Sequence, residues 1–177
     1  MFRFIPAALL FSFAAHAGDV SIAVRISPAG SYKAETKKVT GSVQKTADGG
    51  VKSENVTIDM TSLTTGIELR DKHTREHLMT DKYPQAKLVK AEGKDGKGKA
   101  TLEIKGKTVE VAGTYKIKGG TLTAEFPMKI SSVDITNVRY MGAGVKDEVT
   151  VTVNLPITAG EAVKRGTAGT ATKKKAR

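Results

Sequence analysis

The amino-acid sequence predicts an all-β protein, an antiparallel barrel of about eight strands with a short helix/loop lid. Apolar and polar residues alternate along much of the chain, as they do in strands with one buried face. The alternation resets at glycine-rich turns, and one polar segment, 65–84, interrupts it. Closure into a barrel leaves no exposed sheet edge, and a two-sheet sandwich is the alternative arrangement.

Residues 1–17 carry the features of a secretory signal peptide in the expected order. Arg3 comes first, an apolar run follows at 4–15, and residues 15–17 (AHA) form a small-x-small cleavage site. The apolar run is shorter than the about 20 residues that a transmembrane helix needs. We therefore expect cleavage before Gly18 and export to the periplasm, with secretion to the medium as the alternative.

The predicted strands of the barrel domain, 18–159, follow from the alternation. The first covers 20–26, and the region 32–43 is either one long strand or a hairpin. Another strand ends near Met60 after a turn at 48–50, and a short one covers 86–91.

The clearest alternation runs from 100 to 130. Gly106-Lys107 and Gly119-Gly120 are the predicted turns within it, and the second has the length of a two-residue hairpin loop. A last strand covers 149–157. Such glycine-punctuated alternation predicts a meander of half-buried strands and excludes a helix.

The apolar positions of these strands share one face, which we assign to the barrel interior. Gly113 and Ala124 lie on that face, and small residues there leave volume for a ligand. The predicted ligand-binding residues are Val109, Val111, Gly113, Tyr115, Leu122, Ala124, Phe126, Met128, Val149 and Val151.

The polar segment 65–84 predicts the lid. Asp71 is placed to cap a helix near 72–79, and Pro84 is placed to stop it. If the segment covers the barrel mouth, a cationic group of side chains meets an anionic headgroup such as a pyrophosphate. That group consists of Arg70, His73, Arg75 and His77. The alternatives are a solvated charged surface and an Arg70–Asp71 ion pair that pins the lid.

A metal site is a weaker interpretation of the same segment. His73 and His77 are spaced i, i+4, with Glu76 and Asp81 nearby, but basic neighbours disfavour a dication. The chain lacks Cys, which excludes disulfides and thiolate chemistry, and it lacks the usual motifs of hydrolases and phosphate-binding loops. We therefore expect no catalytic residue, no metal and no cofactor.

The formal net charge of +11 comes from 29 Lys and Arg against 18 Asp and Glu. Much of the excess lies in the segment 160–177, which ends in a lysine cluster at 173–175. We expect this basic tail to be disordered, and it either contacts an anionic membrane or cell-wall surface weakly or only aids solubility. With no Trp and 5% aromatic residues, base stacking on nucleic acid is disfavoured.

Several segments in order resemble the YceI-like family of exported, lipocalin-like, polyisoprenoid-binding proteins. They are SLTTG at 62–66, LRDKH at 69–73, YPQA at 83–86, GKATLEIKGKT at 98–108 and VKDEV at 145–149. The resemblance implies a lipocalin-like barrel that binds a long apolar lipid.

Three positions depart from the family pattern. The aromatic opening is replaced around 32–36, a common Phe is replaced near Leu88, and the segment 138–142 matches loosely. Because these positions help line the pocket in the family, the fold carries over better than the ligand.

Three functional hypotheses follow from these features. The first is a carrier that shields a polyisoprenoid or other lipid from water. The second is a non-enzymatic binding or scaffold module with a filled barrel, which contacts an anionic polymer or partner protein. The third and weakest is a metal-dependent enzyme at His73 and His77.

Overall fold

The computed structural model describes residues 18–140 and 142–158, apart from the side chain of Tyr140. The predicted signal peptide, 1–17, and the predicted basic tail, 160–177, lie outside these residues. The strands are β1 Gly18–Ser27, β2 Ser31–Thr40, β3 Val43–Lys45, β4 Val51–Asp59, β5 Gln85–Lys94, β6 Lys97–Ile104, β7 Lys107–Lys118, β8 Thr121–Lys129, β9 Arg139–Tyr140, β10 Ala143–Val145 and β11 Glu148–Thr158. The helix α1 spans Glu68–Leu78.

Eight strands close into an antiparallel barrel in the order β1-β2-β4-β5-β6-β7-β8-β11. Pairing of β11 with β1, from Asp19 opposite Asn154 to Ala23 opposite Thr150, completes the ring. The barrel is therefore confirmed and the sandwich is excluded, because a closed ring satisfies the backbone groups that an edge strand leaves unpaired. The short strand β3 bridges β11 and β4, and the β9–β10 hairpin pairs with the end of β1.

The individual strand predictions differ from the structure in several details. The short strand predicted at 86–91 is the longer β5, Gln85–Lys94, and the short strands β9 and β10 were not predicted. The region 32–43 divides into β2 and the start of β3, with Gly41 at φ 121° between them. The β6–β7 turn lies at Lys105-Gly106 rather than at the predicted Gly106-Lys107. Lys105 and Gly106 both have positive φ, as a two-residue hairpin loop requires. Gly119-Gly120 forms the β7–β8 turn as predicted.

The connections sort to the two ends of the barrel. At one end, which we call the α1 end, lie the β1–β2 turn, the β4–β5 connection with α1, the β6–β7 turn and the segment 130–147. At the other, which we call the far end, lie the β5–β6 and β7–β8 turns and the β2–β4 connection with β3.

The helix α1 begins and ends earlier than predicted. It starts at Glu68 after Ile67, which makes no side-chain cap, so the prediction that Asp71 caps the helix is wrong. The helix ends where Met79 adopts a left-handed conformation and its N–H bonds to the Arg75 and Glu76 carbonyls, ahead of Pro84. Acidic residues in the first turn and basic residues in the last complement the helix dipole.

Valines and leucines of the barrel wall form the main core. Its best buried members include Val39 and Val56 at 1% exposure and Val149 at 2%. A smaller cluster lies near α1, where Met60 and Leu63 pack with two alanines of β2 and β5. The β-branched residues suit this pleated surface, and their inward positions follow the period of two.

Gly113 has a different role from the one predicted. A Cβ at this position would collide with the backbone oxygen of Glu125 and lie 2.7 Å from the Cβ of Phe126. The glycine therefore allows β7 and β8 to approach closely where their pairing begins, and close approach rather than spare volume explains it.

Candidate functional site

An apolar cavity of about 590 Å³ lies inside the barrel. Phe126 and Met128 are only half-buried although they line this cavity, because part of each side chain faces open space. A barrel of eight strands has room for either packed side chains or one small ligand. The interior here has room for a ligand, which is contrary to the filled-barrel alternative.

Most of the predicted ligand-binding residues lie on the cavity wall. These are Val111, Gly113, Tyr115, Leu122, Ala124, Phe126, Met128, Val149 and Val151. Val109 is half-buried on β7 but is not part of the wall. The pairing of β7 with β8 runs from Thr114 to Lys118, and the segment 130–133 packs against the remaining part of β7, where Val109 lies.

The opposite wall of the cavity was missed in the choice of binding residues. It comes from β1, β2, β4, β5 and β6, and its apolar residues include Val20, Ile22, Val24, Ile26, Tyr32, Ala34, Val56, Ile58, Leu88, Ala100, Leu102 and Ile104. The signal was present, because the alternation that predicts β1 also separates an inward set from an outward set.

At the α1 end, the cavity wall is completed by α1 and the segment 130–147. The residues from α1 and its approach are Ile67, Leu69, Arg70, His73, Thr74, His77 and Leu78. Ile67 and Leu69 are each 50% exposed, a high value for apolar side chains at a cavity. The segment 130–147 contributes Ile130, Val133, Ile135, Val138, Arg139, Ala143, Gly144 and Val145. We call this part of the site the mouth.

The basic residues of the mouth are the two arginines Arg70 and Arg139 and the two histidines His73 and His77. Arg139 is an addition to the predicted headgroup residues. The acidic residues that border the cavity, Glu92 and Glu125, are exposed residues of β5 and β8 at a distance from α1. Within the described residues, the mouth therefore presents positive charge without a carboxylate on its wall.

Arg70 stacks on an aromatic ring of the cavity wall. Its guanidinium carbon lies 4.5 Å from the centroid of the Tyr32 ring. Burial raises the pKa of the Tyr32 hydroxyl, and the charge of Arg70 opposes this shift. Stacking holds the guanidinium plane against β2 and leaves its N–H edges for a ligand.

The predicted Arg70–Asp71 ion pair is wrong. The Asp71 carboxylate instead accepts hydrogen bonds from the Thr65 N–H at 2.6 Å, the Thr65 hydroxyl at 2.6 Å and the Thr64 hydroxyl at 2.8 Å. Burial raises the pKa of Asp71, but these hydrogen bonds and the charge of Arg75 outweigh it and leave the pKa below its usual range. Thr64 also pairs with Glu35 of β2, so Asp71 fastens α1 to the barrel.

Arg75 does not border the cavity, although it was predicted as a headgroup residue. Its positive charge instead acts on Asp71, whose pKa it lowers. His73 and His77 border the cavity, as one helix face places them. Among the described residues, no group of three or more His, Asp or Glu side chains converges as a metal site would require.

Asp147 joins the two ends of the segment 130–147 by hydrogen bonds to Ser131. Its carboxylate accepts a hydrogen bond of 2.8 Å from the Ser131 N–H and one of 2.9 Å from the Ser131 hydroxyl. These bonds hold the pKa of Asp147 below its usual value. Lys107 of β7 adds an ion pair of 2.9 Å with Asp134.

None of the helices in the described ranges is long and apolar enough to cross a membrane.

Comparisons with solved structures show the same fold. BcnA from Burkholderia cenocepacia superimposes with a TM-score of 0.58 at 23% identity, over 78% of this chain and 94% of that one. A polyisoprenoid-binding domain from Saccharophagus degradans, implicated in plant cell wall breakdown, gives 0.56 at 16% identity over 80% and 94%. A mutant CJ YceI protein with a monobromobimane guest gives 0.50 at 17% identity over 70% and 82%.

No curated protein matches the sequence. The sequence pattern of the YceI-like domain matches residues 12–157, which is most of the chain and extends well before the motifs at 62–149. The chain belongs to the YceI-like family.

Proposed function

We propose that this protein is a carrier that binds a long apolar lipid, a polyisoprenoid in particular, inside its barrel. The observation that carries this proposal is the cavity of about 590 Å³, whose wall is mainly apolar. Burying apolar ligand surface contributes roughly 25 cal/mol per Å², so an enclosed chain binds without any catalytic group. The similar fold of the polyisoprenoid-binding domain from Saccharophagus degradans supports the choice of ligand class.

The mouth supports a ligand with an anionic head. Arg70, His73, His77 and Arg139 border it, and guanidinium groups form strong charge-assisted bonds with phosphate oxygens. The tail of the lipid then lies in the barrel and the phosphate lies between α1 and the segment 130–147.

The proposed setting is the periplasm. A signal peptide at 1–17 delivers the barrel to the compartment where a water-insoluble lipid needs a carrier between membranes. Mass spectrometry of the N-terminus of the protein purified from its host tests this setting, and a mature chain that starts at Gly18 is the expected result.

The experiment that tests the carrier is substitution of Ala124 by Trp. Ala124 is half-buried on the cavity wall, opposite Tyr115 across the β7–β8 pairing, so an indole at this position occupies the ligand's space. We expect Ala124→Trp to fold and to lose the lipid that native mass spectrometry detects on the wild-type protein.

Ala112→Trp is the matched control, because Ala112 is exposed on β7 and is not part of the cavity wall. The control should retain the lipid. Equal lipid occupancy in the two folded variants would contradict binding in the barrel.

A further inference from the structure

Three glycines form a row across adjacent strands near the far end of the barrel. Gly93 of β5 pairs with Gly98 of β6, and Gly98 pairs with Gly113 of β7. Such a row gives the inner wall no side chains along one line of three strands. At Gly113 the close approach of β8 takes this space, so Gly93 and Gly98 are the part of the row that is open to another side chain or to a ligand.

The ring of Tyr115 lies on this strip. A Cβ at Gly93 would lie 2.6 Å from Cε1 of Tyr115, and a Cβ at Gly98 would lie 3.8 Å from its Cδ1. Since Val51 borders Gly93 from the next strand, the ring crosses from β7 over β6 toward β4. The ring therefore needs a glycine at position 93, and at Gly98 it is at ordinary van der Waals distance.

The position of Tyr115 is at the far end of the cavity. Tyr115 is near the end of β7, and its N–H bonds to the Gly96 carbonyl in the β5–β6 turn. Other cavity residues at this end include well-buried aliphatic side chains, with Val43 at 3%, Leu155 at 4% and Leu122 at 6% exposure, and polar residues such as Ser53 and Glu92. Tyr115 is the largest side chain of this floor and is itself only half-buried.

We propose that Tyr115, seated on Gly93 and Gly98, is the depth stop of the cavity and sets the longest lipid chain that the barrel encloses. The inference rests on the proposed lipid carrier and assigns its chain-length specificity to one residue. Without the ring, Gly93 and Gly98 have no cover, and the cavity extends over them beside the β5–β6 turn. A longer apolar chain then buries its end there and gains affinity from the added contact.

The test compares farnesyl, geranylgeranyl and undecaprenyl phosphate as ligands of the wild-type protein and of Tyr115→Ala. Competition between two chain lengths in native mass spectrometry gives their relative affinity directly. We expect Tyr115→Ala to shift the preference toward the longer chain by about tenfold or more, the order expected for one to two additional buried carbon groups.

Two variants serve as controls. Tyr115→Phe keeps the ring and should keep the wild-type preference. Ile117→Ala removes a large side chain from the same strand, but Ile117 is 43% exposed and outside the cavity wall, so it should also keep that preference. If Tyr115→Ala fails to fold, Tyr115→Leu shortens the stop with a smaller loss of packing and should shift the preference in the same direction.

The outcomes separate the depth stop from the carrier. An unchanged preference in a folded Tyr115→Ala or Tyr115→Leu protein, beside a wild-type protein that binds these lipids, overturns the depth stop alone. If the wild-type protein and every variant bind none of the three lipids, the carrier proposal fails and the depth stop fails with it.

Discussion

Arg70 shows how one side chain can serve both the protein and a ligand. Stacking on Tyr32 fixes its guanidinium at the mouth, and among the described residues it forms no ion pair that would neutralise it. A guanidinium in this state is oriented and charged before the ligand arrives. Little side-chain entropy is then lost when it binds a phosphate.

Substitution of Arg70 by Gln tests this role. A charge-assisted hydrogen bond contributes about 1.5–3 kcal/mol, so we expect Arg70→Gln to weaken binding of an isoprenyl phosphate by roughly tenfold or more. The affinity for the corresponding isoprenyl alcohol should change much less, as titration of both ligands would measure. Lys72→Gln is the control, because Lys72 is an exposed cation of α1 outside the cavity wall. Equal losses for phosphate and alcohol would contradict a headgroup contact.

At the scale of elements, α1 is attached to the barrel mainly by polar contacts. The helix has no fully buried residue, so apolar packing contributes little to its position. Its first turn is fastened through Asp71 to Thr64 and Thr65, and its end is fixed near Thr80, which is 4% exposed. An element of this kind is expected to open locally at lower free energy than the strands beneath it.

The attachment of α1 should depend on pH through Asp71. Its pKa in the folded protein is below the unfolded value of about 3.9, so its stabilising contribution is fully present above that value. The contribution is lost as the pH falls through the folded pKa. Asp71→Ala should therefore increase hydrogen exchange in α1 at neutral pH, and its difference from the wild-type protein should shrink in acid.

Asp81→Ala is the control for this experiment. Asp81 is exposed, and in the described part of the chain its carboxylate takes part in none of the side-chain hydrogen bonds found around Asp71. It should leave the exchange of α1 unchanged. Equal exchange of α1 in Asp71→Ala and in the wild-type protein at neutral pH would show that the helix is held by other contacts.

At the scale of the whole molecule, the lipid carrier and the binding or scaffold module that contacts an anionic polymer differ in which part of the chain they need. Among the residues that the structure describes, those of the cavity wall fall between Val20 and Leu155. A ligand that binds only the folded barrel stabilises it by mass action, by about 2.7 kcal/mol at a concentration of one hundred times Kd.

Removal of residues 160–177 should leave this stabilisation intact. We expect the shortened and full-length proteins to show the same rise in thermal unfolding temperature with isoprenyl phosphate. The control is a soluble anionic polymer, whose binding depends on the basic tail if the tail is adhesive. Loss of the lipid-induced rise on truncation would contradict a binding site confined to the barrel.

The sequence by itself determined the eight strands of the barrel, most of their turns and one wall of the cavity. These follow from local rules: alternation reports which residues share a face, and glycine reports where the backbone turns. The strands that contain Val111, Phe126 and Val151 were assigned an inward face on this basis, and the structure places all three on the cavity wall.

Only the tertiary structure decided the partners of polar and glycine residues. Asp71 bonds to Thr64 and Thr65, Arg70 stacks on Tyr32, and Gly113 admits the backbone of β8. Each of these contacts joins segments whose separation in space depends on barrel closure and strand register. The local alternation of apolar and polar residues does not determine the register between strands of a closed sheet. The residues that meet at the floor and at the mouth of the cavity therefore could not be predicted from the sequence.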